Sequence, residues 1–139
     1  MAAAPRSIMV IRREDGSVVA RVQNRSVVEA LALSHHLLAV ESAERIVLYR
    51  LPGGQRLRSV RVGNRTTYRF TGWMAVVGDS LILWSPDSVR VVDATTGQST
   101  VLVHTRVDDG RITAVATDGK RVAWAMTAGL RSVIRIRPL

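Results

Sequence analysis

The chain contains no cysteine. That excludes a disulfide framework and any thiolate metal site. No stretch approaches the roughly 20 consecutive apolar residues of a membrane-spanning helix. The amino terminus, Met1-Ala2-Ala3-Ala4-Pro5-Arg6, is followed by an apolar run of only Ile8–Ile11, too short for the core of an export signal. As written, the chain reads as soluble and cytoplasmic; an extracytoplasmic location is expected if the reading frame continues upstream. Phosphate-cradling loops are missing: Gly53-Gly54 has neither the length nor the Lys-Ser/Thr of a P-loop. Calcium loops are missing too, because Asp108-Asp109-Gly110 lacks alternating acidic ligands and a distal Glu. Lysine is almost absent, with Lys120 the only one among 20 basic residues.

What is present is a repeat. An apolar run, a short gap, a second apolar run and a Gly-containing turn recur at about forty residues, the period of arrays such as propellers. The central runs are Leu37-Leu38-Ala39-Val40, Leu81-Ile82-Leu83-Trp84 and Arg121-Val122-Ala123-Trp124. Each unit reads as four short strands. The first is Ala- and Val-rich (Ala30–Leu33, Met74–Val77, Ile112–Thr117), and the central run is the second. The third is Ile46–Arg50, Val89–Asp93 and Val133–Arg137, with an earlier example at Ile8–Arg12. The turns Asp15-Gly16, Gly53-Gly54 and Thr96-Gly97 supply the positive φ of tight hairpins. A charged fourth strand follows at Val18–Val22, Leu57–Val62 and Thr100–Thr105. This gradient from apolar inner to charged outer strands fits radially stacked sheets better than a sandwich, whose strands alternate. A helix over roughly 27–44 competes, since Ser26-Val27-Val28-Glu29 has capping-box spacing and helix formers follow.

Thr117-Asp118-Gly119-Lys120-Arg121-Val122-Ala123-Trp124, with Val133-Ile134-Arg135-Ile136, resembles a blade of the TolB-type (WD40-like) propellers. Val77-Gly78-Asp79-Ser80-Leu81-Ile82-Leu83, with Val91-Val92-Asp93-Ala94-Thr95-Thr96-Gly97-Gln98, resembles a blade of either the TolB-like or the PQQ-like propellers. The resemblance runs from about Ile8 to Leu139. The expected fold is all-β, with β-propeller-type blades of four antiparallel strands. A single repeat domain over 1–139 is expected, with units at about 8–25 (partial), 27–64, 68–107 and 111–139 (partial).

Some 139 residues hold only about three blades, fewer than the four to eight that close a propeller. Open sheet edges invite pairing with other chains. A homo-oligomer, or a protein partner supplying further blades, is therefore expected. In a dimer, a partner's Val18–Val22 completes the last blade, and two such exchanges close a ring of six.

Candidate chemistry is sparse. Gly78-Asp79-Ser80-Leu81 spells an esterase nucleophile motif, but it sits in a hairpin turn and only His104 follows it. Adjacent residues on a strand point to opposite faces, so His35-His36 reads as a solvated loop. Trp84 and Trp124 occupy one slot of the repeat, with Val40 in the first unit, which reads as packing between blades. Trp73, near Tyr68 and Phe70, is a candidate pocket aromatic. Arg56, Arg58, Arg61, Arg65 and Arg69 form the densest basic run of a chain with net charge +9. On a regular strand Arg56 and Arg58 share a face and Arg61 lies on the other. Basic residues interleaved with aromatics suit single-stranded nucleic acid or another polyanion; charge on an outer strand also blocks edge pairing. The reading is a non-enzymatic protein-interaction or scaffold module with no catalytic residue, metal or cofactor. An Arg-rich polyanion binder is the alternative, and a fragment of a quinoprotein-like propeller enzyme the second.

Overall fold

A computed structural model describes residues 6–43, 45–62 and 73–139 of the chain. The chain divides into two compact units, Met1–Gly72 and Trp73–Leu139. Every described strand pairs antiparallel with its sequence neighbour, and the described residues contain no α-helix.

The first unit holds two sheets. Strands β1 (Arg6–Ile11) and β2 (Val18–Asn24) form a two-stranded ribbon. Strands β3 (Ala30–Leu33), β4 (Leu37–Ser42), β5 (Arg45–Arg50) and β6 (Gln55–Arg61) form a four-stranded meander. Where a helix was the competitor, 30–42 is thus strand, turn and strand. The capping-box spacing is overridden because Leu37 to Val40 are buried without interruption, as in a strand covered on both faces. Alternation fixes the ribbon: Ala20 and Val22 point inward while Arg21 and Gln23 face water. They pack with Leu38, Val40, Tyr49 and Leu51 of the larger sheet, and Ile8, Val10, Val28 and Val47 close the rim.

The second unit repeats the plan. Strands β7 (Met74–Val77), β8 (Ser80–Ser85), β9 (Ser88–Asp93) and β10 (Ser99–His104) form one meander. A 3-10 turn at Val107–Asp109 leads to β11 (Arg111–Thr117), β12 (Arg121–Ala128) and β13 (Arg131–Pro138), a three-stranded sheet. The sheets meet through Ile82, Val89, Ile112, Val122 and Trp124. Full burial of each such aliphatic side chain contributes about 1.5–3 kcal/mol. Short polar side chains build the turns. Asp93 Oδ1 accepts the amides of Thr95 at 2.8 Å and Thr96 at 2.6 Å. Asp118 Oδ1 accepts those of Lys120 at 2.9 Å and Arg121 at 2.8 Å.

Trp84 and Trp124 are not equivalent. In β4 and β12, Val40 and Trp124 point at the preceding sheet of their own unit. In β8, Ile82 and Trp84 point at the following sheet, while Leu81 and Leu83 lie on the opposite face. The second apolar run is offset by one residue from the other two, and one residue reverses a strand's faces. Trp84 and Trp124 therefore approach one shared core from opposite sheets.

Candidate functional site

The third strands β5 and β9 are flanked on both sides, by β4 and β6 and by β8 and β10. The third strand β13 is flanked by β12 alone among the described residues. All eight of its residues are exposed, with Ile134 at 72% and Ile136 at 60%. An edge of this kind turns half of its backbone N–H and C=O groups away from its neighbour, a template for a further strand. The ladder to β12 is regular from Arg121↔Pro138 to Ala128↔Arg131. Val133, Arg135 and Arg137 pair with Met126, Trp124 and Val122, on the face toward the β7–β10 sheet. Ile134 and Ile136 pair with Ala125 and Ala123, on the opposite face.

A recess of about 700 Å³ opens beside this edge, lined in part by His104 of β10, Trp124 and Met126 of β12, and Arg135 and Arg137 of β13. Arg137 Nη1 donates to the Leu102 carbonyl at 3.0 Å, tying β13 to β10. Trp124 is 4% exposed, and its buried indole N–H has no acceptor among the described residues. The recess is basic and half-open, and its wall ends at the bare edge. It suits a polypeptide segment laid along β13 better than an enclosed small molecule. The charge pattern of the third strand hinted at this site, since Arg135 stands at the place in the repeat where β9 has Val91 packed against its core. Exposure of the edge was the missing information.

The predicted basic run is only partly brought together. Arg65 and Arg69 lie outside the described residues, as do Tyr68 and Phe70. Arg56, Arg58 and Arg61 stand on β6, the outer strand of its sheet. The ladder shifts between Leu48 and Tyr49, so Arg58 opposes Leu48 while Arg56 opposes Tyr49. Consecutive β5 residues point to opposite faces, so Arg56 and Arg58 lie on different faces, and Arg56 shares its face with Arg61. The cause is the extra residue Leu57, which breaks the two-residue alternation that predicted a shared face. Arg61 stands directly opposite Arg45, both exposed.

Trp73 is half-buried just before β7, and its carbonyl accepts the Trp84 amide at 3.1 Å. Gly78 and Asp79 form the β7–β8 turn, with Gly78 at φ 54°. His35 and His36 are exposed in the β3–β4 turn. Among the described residues no three His, Asp or Glu side chains converge as a metal-binding group. None of the helical elements described is long and apolar enough to cross a membrane.

No family model matches the chain, and no curated protein does. Solved structures are similar. The computationally designed Ika4 protein is 19% identical, with a TM-score of 0.56 over 88% of this chain and 73% of its own. BamB from Moraxella catarrhalis is 12% identical, with a TM-score of 0.55 over 87% of this chain and 44% of its own. The chain thus spans less than half the length of BamB. Both are β-propeller proteins. The likeness shows the fold: all-β, with antiparallel propeller-like sheets.

Proposed function

We propose that this chain is a non-enzymatic interaction module whose working surface is the open edge of β13. One observation carries the reading. Of three third strands with their second strands in place, two are enclosed and the last is bare, with all eight residues exposed. An extended segment added there gains main-chain hydrogen bonds for affinity, and side-chain positions on alternate faces give selectivity. Arg131, Arg135 and Arg137 favour an occupant without a basic run of its own. The TolB-type and PQQ-like resemblances of the blades fit such a module. Amide hydrogen exchange tests it. The β13 amides that point away from β12 are expected to slow as protein concentration rises or a partner is added. Free exchange of those amides under all such conditions would remove the basis for the reading.

A second reading has its own observation. Arg56 and Arg61 are both exposed on the same side of an outer strand, which offers a polyanion two guanidinium groups. Binding through them is expected to fall steeply with salt. Loss of heparin retention at low ionic strength in an Arg56→Ala/Arg61→Ala variant supports it; retention equal to the parent's excludes these residues.

A further inference from the structure

The two incomplete sheets contain one blade with its third strand in duplicate. The β3–β6 and β7–β10 sheets show the full set of four strands. The β11–β13 sheet has the first three, and the β1–β2 ribbon has a third and a fourth. Joining them leaves one third strand too many. The two candidates for that place differ. β1 is six residues long, and its ladder to β2 breaks between Val10 and Ile11. β13 is eight residues long and holds an unbroken ladder to β12.

The side chains match as well. β1 places Ile8 opposite Val22 and Val10 opposite Ala20, and both pack on the core of the first unit. β13 carries an apolar pair of the same spacing, Ile134 and Ile136, exposed on the face away from its own neighbouring sheet. Set antiparallel to β2 with Ile134 opposite Val22 and Ile136 opposite Ala20, β13 presents to that core what β1 presents now. Val133 then opposes Gln23, and Arg135 opposes Arg21.

We infer that β1 is a placeholder, and that β13 of a second copy of this chain displaces it from β2. The product is one four-stranded sheet, β11-β12-β13 of one copy followed by β2 of the other. This rests on β13 being the interaction edge, and it names the occupant. The arrangement has a built-in opponent. Arg135 faces Arg21 between chains that each carry a net charge of +9, so exchange is held back at low salt and strengthens as salt screens the repulsion.

The absence of native cysteine makes a clean test. Directly opposed residues of an antiparallel pair lie near disulfide distance. A Gln23→Cys/Val133→Cys variant is oxidised mildly at rising concentration, beside Ser7→Cys/Gln23→Cys, which reports β1 in place because Ser7 opposes Gln23. The expected result is an interchain disulfide in the first variant that grows with concentration and salt, while the second loses its intrachain disulfide in step. An Arg21→Cys/Arg135→Cys variant tests the same register with the like charges removed, and is expected to link severalfold more readily. Full intrachain closure of the Ser7→Cys/Gln23→Cys variant at every concentration, without interchain linkage in either other variant, would overturn the inference. Intrachain closure of the Gln23→Cys/Val133→Cys variant as a monomer would overturn it too, since β13 would then reach the β2 of its own chain. Protection of the β13 edge in hydrogen exchange without any of these disulfides keeps the interaction edge and removes this occupant.

Discussion

Replacing Trp124 by Phe is expected to leave stability nearly unchanged, although Trp124 is among the largest side chains in the core of the second unit. Two effects oppose each other there. The ring is 4% exposed and packs with Ile82, Val89, Ile112 and Val122. Truncation to Ala leaves a cavity and is expected to cost about 3–5 kcal/mol. The indole N–H, however, is buried with no acceptor among the described residues, and an orphan donor costs on the order of 1–3 kcal/mol. Phe deletes that donor while keeping a six-membered ring. The smaller ring gives up packing worth about 1–2 kcal/mol, at roughly 0.8 kcal/mol per buried methylene-sized group. The opposing effects cancel to within about 1 kcal/mol. Equilibrium urea denaturation followed by far-UV circular dichroism reads both variants. A Trp124→Phe cost of about 3 kcal/mol or more, comparable to the Ala variant, would show instead that the N–H is satisfied in solution.

Gly110 and Gly16 form a contrasting pair. Gly110 has φ +106°, and a Cβ there would lie 2.9 Å from the Thr127 carbonyl oxygen, whereas Gly16 has φ +70° with nothing within 4 Å. Thermal unfolding should therefore show Gly110→Ala costing on the order of 3 kcal/mol and Gly16→Ala only about 1 kcal/mol. Asp118 governs part of the acid response. The Lys120 amide first, then the Arg121 guanidinium, hold its pKa down at about 2, below the ordinary 3.8. A depressed carboxyl stabilises the fold above its ordinary value, and that stability is lost as pH falls toward the depressed one. Acid titrations by circular dichroism should accordingly show a shallower loss between 3.8 and about 2 in Asp118→Asn than in the parent. Identical acid limbs would mean the β11–β12 turn does not depend on this carboxylate.

The strand order was legible because Gly-containing turns and apolar runs punctuate the chain at a constant spacing. The first strands Ala30–Leu33 and Met74–Val77 coincide with β3 and β7 to the residue. What sequence could not show was phase. A central run offset by one residue still looks like the same run, yet Trp84 faces the opposite way from Val40 and Trp124. A single inserted residue, Leu57, likewise separates Arg56 from Arg58 without any local signal. The helix reading of 27–44 failed for another reason: local propensity is weak beside the burial of both faces of β4. The site was half legible. Val133–Arg137 is recognisable from sequence as a third strand, but the exposure of Ile134 and Ile136 is not, because their face depends on the register with β12.

Whether the bare edge of β13 meets another polypeptide, and whether a second copy fills it, is read most directly by light scattering coupled to size exclusion. The parent chain is predicted to move from 15.2 kDa toward twice that mass as concentration or salt rises. An Ile134→Lys/Ile136→Lys variant, with the same circular dichroism spectrum, is predicted to stay at 15.2 kDa. A folded parent that holds 15.2 kDa throughout the micromolar range, or a variant that associates as the parent does, would be incompatible with strand exchange through this edge.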